Sequence, residues 1–194
     1  VRAPQRLVLA SGSPRRAALL GQAGVVPDEI IAPDIDETVQ RNERPREYAL
    51  RIAETKAKAV AAAQADAFVL AADTVVACGR RILPKAGTGE DVKRCLKLLS
   101  GRRHRVYTAI AVDAPDTTLR TRVVVTSVMF KRVSGDEVAR YLDSGEGIGK
   151  AGGYAVQGLA ETFVRQINGS YSNIVGLPLS QTISLLGSSG YRVF

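Results

Sequence analysis

The order of apolar and polar segments predicts an α/β fold built on a mixed β-sheet. Three observations carry this expectation. Short apolar runs alternate with amphipathic stretches along the chain, as strands and helices do in α/β proteins. The run Phe68 to Ala72 is continuously apolar, as a central strand covered on both faces must be. In the second half, Val106 to Val112 and Leu119 to Phe130 are separated by Ala114-Pro115-Asp116. That is a hairpin signal, and it brings antiparallel pairing into the sheet.

The elements follow in order. Leu7 to Ala10 reads as a buried strand, then Ser13 as an N-cap with Pro14 at the first helical position, the helix stopping near Gly24. Ile30-Ile31 is a short strand, and Asp34 to Arg44 a charged loop. Pro45 opens a helix reaching about Ala63. The central strand continues through Asp73 to Val76 and turns at Gly79. Thr88 and Asp91 have capping-box spacing, and the helix behind them ends at Ser100-Gly101. Ser134 and Glu137 cap another helix ending near Gly145. Gly147 to Gly158 is a glycine-rich loop, Thr162 to Val164 resumes a strand, and Pro178 to Leu186 is a last helix.

A chain of 194 residues holds one sizeable core, so residues 1–194 are expected to form a single domain. No apolar run reaches the roughly 18 residues of a membrane span. Val1 to Leu9 lacks the apolar core of a secretory signal. With only two cysteines, Cys78 and Cys95, and one histidine, a structural zinc site is excluded and the cytoplasm is the expected compartment. The net charge of +8 suits an anionic ligand. The basic residues are spread along the chain and aromatics are few, so no stable nucleic-acid partner is expected.

Several positions could carry chemistry. Ser11-Gly12-Ser13-Pro14-Arg15-Arg16 joins a strand to a helix N-terminus, where free N–H groups and the helix dipole favour an anion. Two arginines in a first turn oppose the dipole unless an anion sits there, and guanidinium forks fit phosphate. The plainer alternative is a capped helix with two surface arginines. Asp73 ends a buried apolar run, where α/β folds place ligands; it could bind a metal, act as a base, or merely cap a turn. Lys56 fills the gap in the stripe Ala49, Ile52, Ala53, Ala59, Val60 and Ala63. It must snorkel outward or meet a negative partner such as Asp73 or a phosphate. Asp36-Glu37 could hold a hard cation, and Lys85 could reach a phosphate. In the block Lys150 to Gly158, Gln157 offers the donor and acceptor needed to read an imide edge. A histidine-dependent nucleophile would have to use His104, with no Gly-x-Ser-x-Gly elbow beside a serine.

Taken together these motifs resemble the Maf family of nucleoside triphosphate pyrophosphatases, along nearly the whole chain. The resemblance rests on Ala10 to Arg16, Asp36-Glu37, Lys56 to Ala59, Ala72-Asp73-Thr74, Lys85, Leu99-Ser100-Gly101, His104 to Ala109, Lys150 to Gly158, and Asn168 to Pro178. It implies a mixed sheet flanked by helices around a central cleft, like that of inosine triphosphate pyrophosphatases. It also implies metal-dependent attack of water on a nucleoside triphosphate. By resemblance, Asp73 is the expected base, with Lys56 and Lys85 beside it. Ser11, Ser13, Arg15, Arg16 and Gln157 are expected to bind substrate, and Glu37 and Asp73 to hold Mg²⁺ or Mn²⁺. The pattern Lys-Ala-Gly-x-Tyr-x-x-Gln-Gly resembles the branch acting on dTTP and UTP. Preference for another base, such as 7-methyl-GTP, and a non-catalytic nucleotide or nucleic-acid binder are the alternatives. The family often forms homodimers and is tied to cell-division arrest. Pro84-Lys85-Ala86 departs from the usual Lys-Pro order.

Overall fold

The computed structural model describes residues 5–116 and 118–193; Val1 to Pro4, where the N-terminal segment begins, lie outside it. A seven-stranded sheet runs in the order β2-β1-β3-β5-β6-β7, with β4 also paired to β3. Strands β1 (Arg6–Ala10), β2 (Glu29–Ile31) and β3 (Ala67–Cys78) are mutually parallel through β1. Strands β4 (Arg81–Leu83), β5 (Arg103–Asp113), β6 (Leu119–Phe130) and β7 (Val164–Asn168) add antiparallel pairs, so the sheet is mixed, as expected.

Among the described residues six α-helices cover it: α1 (Pro14–Gln22), α2 (Pro45–Ala61), α3 (Gly89–Leu99), α4 (Gly135–Ser144), α5 (Tyr171–Val175) and α6 (Leu179–Ser188). One sheet face takes α2 alone. Its Ala49, Ala53 and Ala57 have almost no side chain, so the helix lies close on Val69, Ala71, Val75, Ala109 and Ala111. The opposite face carries two clusters. Leu19 and Leu20 of α1 and Leu185 and Leu186 of α6 pack on Leu7, Leu9, Leu70 and Ile110. Further along, Val92, Leu96 and Leu99 of α3 and Tyr141 of α4 pack on Val76, Val106, Val128 and Phe130. A cleft opens over β3 between the β1–α1 turn and the loop of residues 149–157.

The sheet makes that cleft's floor. Strand β1 pairs with β3 only as far as Ala71, and β4 joins the same edge only from Val76. Ala72 to Val75 therefore have no ladder partner on that side, which leaves Asp73 and Thr74 open to a ligand.

One local expectation holds in part and another is corrected. Ser13 occupies the N-cap position of α1, but its side chain makes no capping bond; instead its N–H donates to Ser11 Oγ at 3.2 Å. Thr162 and Phe163 are not strand. They lie in a 3₁₀ turn over Leu159–Phe163, closed by the Thr162 hydroxyl donating to the Leu159 carbonyl. Pairing with β6 begins at Val164, where a register shift at Met129/Phe130 admits it.

Gly152 sits at φ +67°, and a Cβ there would lie 2.8 Å from Val76 Cγ1. Both backbone strain and collision oppose a side chain. Gly152→Ala is expected to cost about 2 kcal/mol and lower Tm by about 4–8 °C in a thermal melt. An unchanged Tm would refute the close packing of this loop on β3.

Candidate active site

Strand alternation splits the two residues at the floor. Asp73 points to the α2 face and Thr74 to the opposite one, because successive side chains leave a strand on opposite sides. Each is met by a cation from its own side.

On the α2 side, Lys56 is only 6% exposed and Asp73 only 3%. The Lys56 ammonium donates to Asp73 Oδ1 at 2.9 Å and lies 2.7 Å from Glu37 Oε1. Lys85 donates to the other Glu37 oxygen at 2.8 Å. The result is a continuous chain Asp73–Lys56–Glu37–Lys85. Burial by itself would raise the Glu37 carboxyl, but the bonds from Lys56 and Lys85 override it and hold the group at about 2. Asp36 stays exposed and accepts from the Thr38 N–H, so Glu37 is the acid that enters the cleft. The Glu37 backbone is pinned by the Tyr48 hydroxyl, which donates to its carbonyl at 2.8 Å. Lys85 is restrained despite its altered proline order: it forms a β-bridge with Ala151 across the cleft wall.

On the Thr74 side, the two arginines of the turn differ. Arg16 is buried, and its donors are taken by protein: Nε to the Gly176 carbonyl at 2.9 Å, Nη1 to Ser11 Oγ at 2.8 Å, and Nη2 to Thr74 Oγ1 at 3.3 Å. Burial works against its charge, and Asp73 and Glu37 support it. Arg16 thus braces the turn against β3 and the end of α5. Arg15 is partly exposed and lines the cleft with no ion-pair partner among the described residues.

These groups share one cleft of about 420 Å³, lined by Ser11 to Arg16, Glu37, Lys56, Asp73, Thr74, Lys85, and Lys150 to Ala151 with Tyr154 to Gln157. Ser11, Ser13, Arg15, Arg16, Glu37, Lys56, Asp73, Lys85 and Gln157, expected from the sequence, all line it; Asp36 does not. The Gln157 side chain is exposed, and its carboxamide makes no hydrogen bond among the described residues. A second cavity of about 540 Å³ opens on the far side of Glu37, Asp73, Thr74 and Lys85, so the charged chain is reached from two directions.

Two contributors escaped the sequence reading as individual residues. Thr74 couples Arg16 to Thr108 through a part-buried hydroxyl pair at 3.0 Å; its signals are adjacency to Asp73 and its place in the Ala72-Asp73-Thr74 motif. Lys150 lines the cleft near Arg15, and burial with this neighbouring charge lowers its pKa. Five cations, Arg15, Arg16, Lys56, Lys85 and Lys150, thus face two carboxylates, Glu37 and Asp73. The excess of positive charge in a walled cleft favours a polyanion. His104 is not part of the cleft lining. It is buried beneath, and burial pushes it down to about 4, which leaves it neutral. Among the described residues, no cluster of three or more His, Cys, Asp or Glu gathers in metal-binding range, and no helix is long and apolar enough to cross a membrane.

Comparison with known proteins agrees with this geometry. A protein named dTTP/UTP pyrophosphatase from Rhodopseudomonas palustris strain BisB18 is 58% identical over 194 residues, covering 97% of this chain and 94% of the relative. Another of that name from Caulobacter vibrioides is 59% identical, covering 96% of each chain. Among solved structures, a HAM1 protein from Coxiella burnetii superposes with a TM-score of 0.53 over 95% of this chain and all of its own. Its 17% identity makes that a likeness of fold. The model of the Maf-like protein family matches residues 6–189, and on that match and these relatives the chain belongs to the Maf-like proteins.

Proposed function

We propose that this chain hydrolyses dTTP and UTP to the nucleoside monophosphate and pyrophosphate. The observation that carries the reading is the chain Asp73–Lys56–Glu37–Lys85, set on the open floor of β3 beside the Ser11–Arg16 turn. The names of the close relatives supply the substrate class.

In this reading the triphosphate enters a cleft whose cations offset its roughly four negative charges. Arg15 and Lys150 hold the phosphate tail, and Arg16 keeps the turn in place. Water forms a bond to the α-phosphorus, its proton passes to the Asp73 carboxylate, and the α–β anhydride bond breaks to release pyrophosphate. Lys56 holds Asp73 in position and Lys85 faces the developing charge on the leaving group.

The donor set fits a hard divalent cation. Mg²⁺ or Mn²⁺ takes oxygen ligands and is often held by one or two carboxylates, with substrate phosphates and water supplying the rest. Glu37 and Asp73 are the two carboxylates available. When bound, such an ion neutralises phosphoryl charge and orients the phosphate oxygens.

The deciding experiment is a panel of triphosphates with Mg²⁺ and product identification. Pyrophosphate released fastest from dTTP and UTP supports the reading. Orthophosphate as first product, preference for 7-methyl-GTP, or binding without turnover each overturns it. Lys150→Gln is expected to raise KM for dTTP about tenfold with kcat little changed, since a charge that grips the tail equally in ground and transition state affects binding alone. Steady-state kinetics checks this, and an unchanged KM removes Lys150 from the site.

A further inference from the structure

One buried titratable residue has no part in the chemistry above. His104 on β5 is 1% exposed and lies outside the cleft lining. Its Nε2 is hydrogen-bonded to the Tyr154 hydroxyl at 2.9 Å, and Nδ1 has no partner in full hydrogen-bond geometry. Both rings also pack edge-on against Phe130, each with centroids 4.9 Å away. Tyr154 is 5% exposed and does line the cleft.

Tyr154 occupies a decisive place in its loop. The strand-side end is fixed by Lys150 and Gly152: Ala86 N–H donates to the Lys150 carbonyl at 3.0 Å and Gly152 N–H to the Pro84 carbonyl at 3.3 Å. The far end is fixed by Leu159, whose N–H donates to Glu146 at 2.8 Å. Between them, Ala155 N–H donates to the Tyr141 hydroxyl at 3.1 Å, and Gly158 N–H closes a turn onto the Ala155 carbonyl at 3.1 Å. Gln157 sits in that turn with its carboxamide free. Tyr154 is the side chain that ties the start of the turn to the sheet.

We propose that His104 and Tyr154 are positioning residues for base selection: the hydrogen bond between them sets where the turn of residues 155–158 presents the Gln157 carboxamide. This rests on the pyrophosphatase reading and on Gln157 facing the base. Two phenylalanines would fill the same space with no polar group to bury. A hydroxyl–imidazole pair instead fixes one ring orientation, because the bond is directional and any other rotamer leaves both buried groups unpaired. Gln157 can present its N–H and its oxygen to the O4 and N3–H of an imide edge, whereas a carboxamide turned over would present the reverse set to the amino edge of cytosine, so its placement decides the preference.

The test compares dTTP with dCTP on the full chain with Mg²⁺, for the parent, Tyr154→Phe, His104→Phe, the double variant and His104→Gln. The ratio of kcat/KM for dTTP over dCTP is expected to fall about three- to tenfold in each phenylalanine variant, mainly through KM for dTTP. The double variant should fall no further than the singles, and His104→Gln, which keeps a hydrogen-bonding group, should recover most of the ratio. A ratio that stays at the parental value while rates for both nucleotides or Tm drop together overturns the proposal, as does simple additivity of the two singles. A parent that releases no pyrophosphate, or does so without preferring dTTP, overturns the underlying reading and this inference with it. A parent with that preference and variants that retain it overturn the inference alone.

Discussion

Asp73→Asn is expected to reduce pyrophosphate release by about 10³-fold or more while leaving the chain folded. The substitution keeps the shape of the side chain and an oxygen that can still accept from Lys56. It removes the carboxylate that takes the proton from water. Folding survives because Lys56 does not lose its only counter-charge: Glu37 remains 2.7 Å from the same ammonium. The check is an initial-rate assay for pyrophosphate beside a thermal melt. Activity within tenfold of the parent would remove Asp73 from the role of base. A collapsed melt would show that its charge is structural first.

Lys56→Met carries the second large effect, and here stability falls together with activity. Asp73 and Glu37 both bond the one ammonium, so without it the buried Asp73 loses that partner, while Glu37 keeps Lys85. Breaking a buried pair by removing one partner costs about 3–5 kcal/mol. The lower end applies, because a third of the Glu37 side chain reaches solvent. For a chain of this size that is a drop in Tm of about 6–12 °C.

The pH dependence should also weaken. In the parent, Glu37 is held at about 2, below its ordinary 4.5. Its contribution is fully present above 4.5 and is lost as pH falls through that range towards 2. In the variant Glu37 keeps Lys85 but loses Lys56, so its folded carboxyl moves up from about 2 towards its ordinary 4.5. The variant should therefore lose less stability than the parent on acidification from about pH 5 to pH 3. Melting curves across that range decide it; parallel profiles for the two proteins would mean that Lys56 does not hold the carboxylates together.

Much of this site was legible in the sequence because local rules place it. Asp73 ends an apolar run, and Lys56 interrupts an apolar stripe at helical spacing; each is a local conflict that needs a partner. The stripe leaves Lys56 either to snorkel outward or to meet a negative group, Asp73 or a phosphate. Glu37 in the same cluster was not derivable from spacing, since a loop has no period. It was carried by the family pattern. The roles of Arg15 and Arg16 were also indistinguishable in one dimension. Consecutive helical residues point about 100° apart, which sends one guanidinium into protein acceptors and the other into the cleft. The 3₁₀ turn at Thr162-Phe163 reads as strand in the sequence because an apolar–polar run looks the same in both. Only the shifted pairing of β6 with β7 decides where the strand begins.

By itself, the sequence determined the α/β class, the order of the strands and helices apart from β4 and α5, and the positions where a cation or a carboxylate stood against its surroundings. Those follow from periodicity and burial, which act over a few residues. The tertiary structure alone decided that β1 stops at Ala71 and β4 starts at Val76, and that Lys56 takes two carboxylates at once. It also decided that a neutral histidine stands under the Gln157 turn. Each depends on segments brought together by packing, and the distances between them are set by the whole sheet rather than by any stretch of chain.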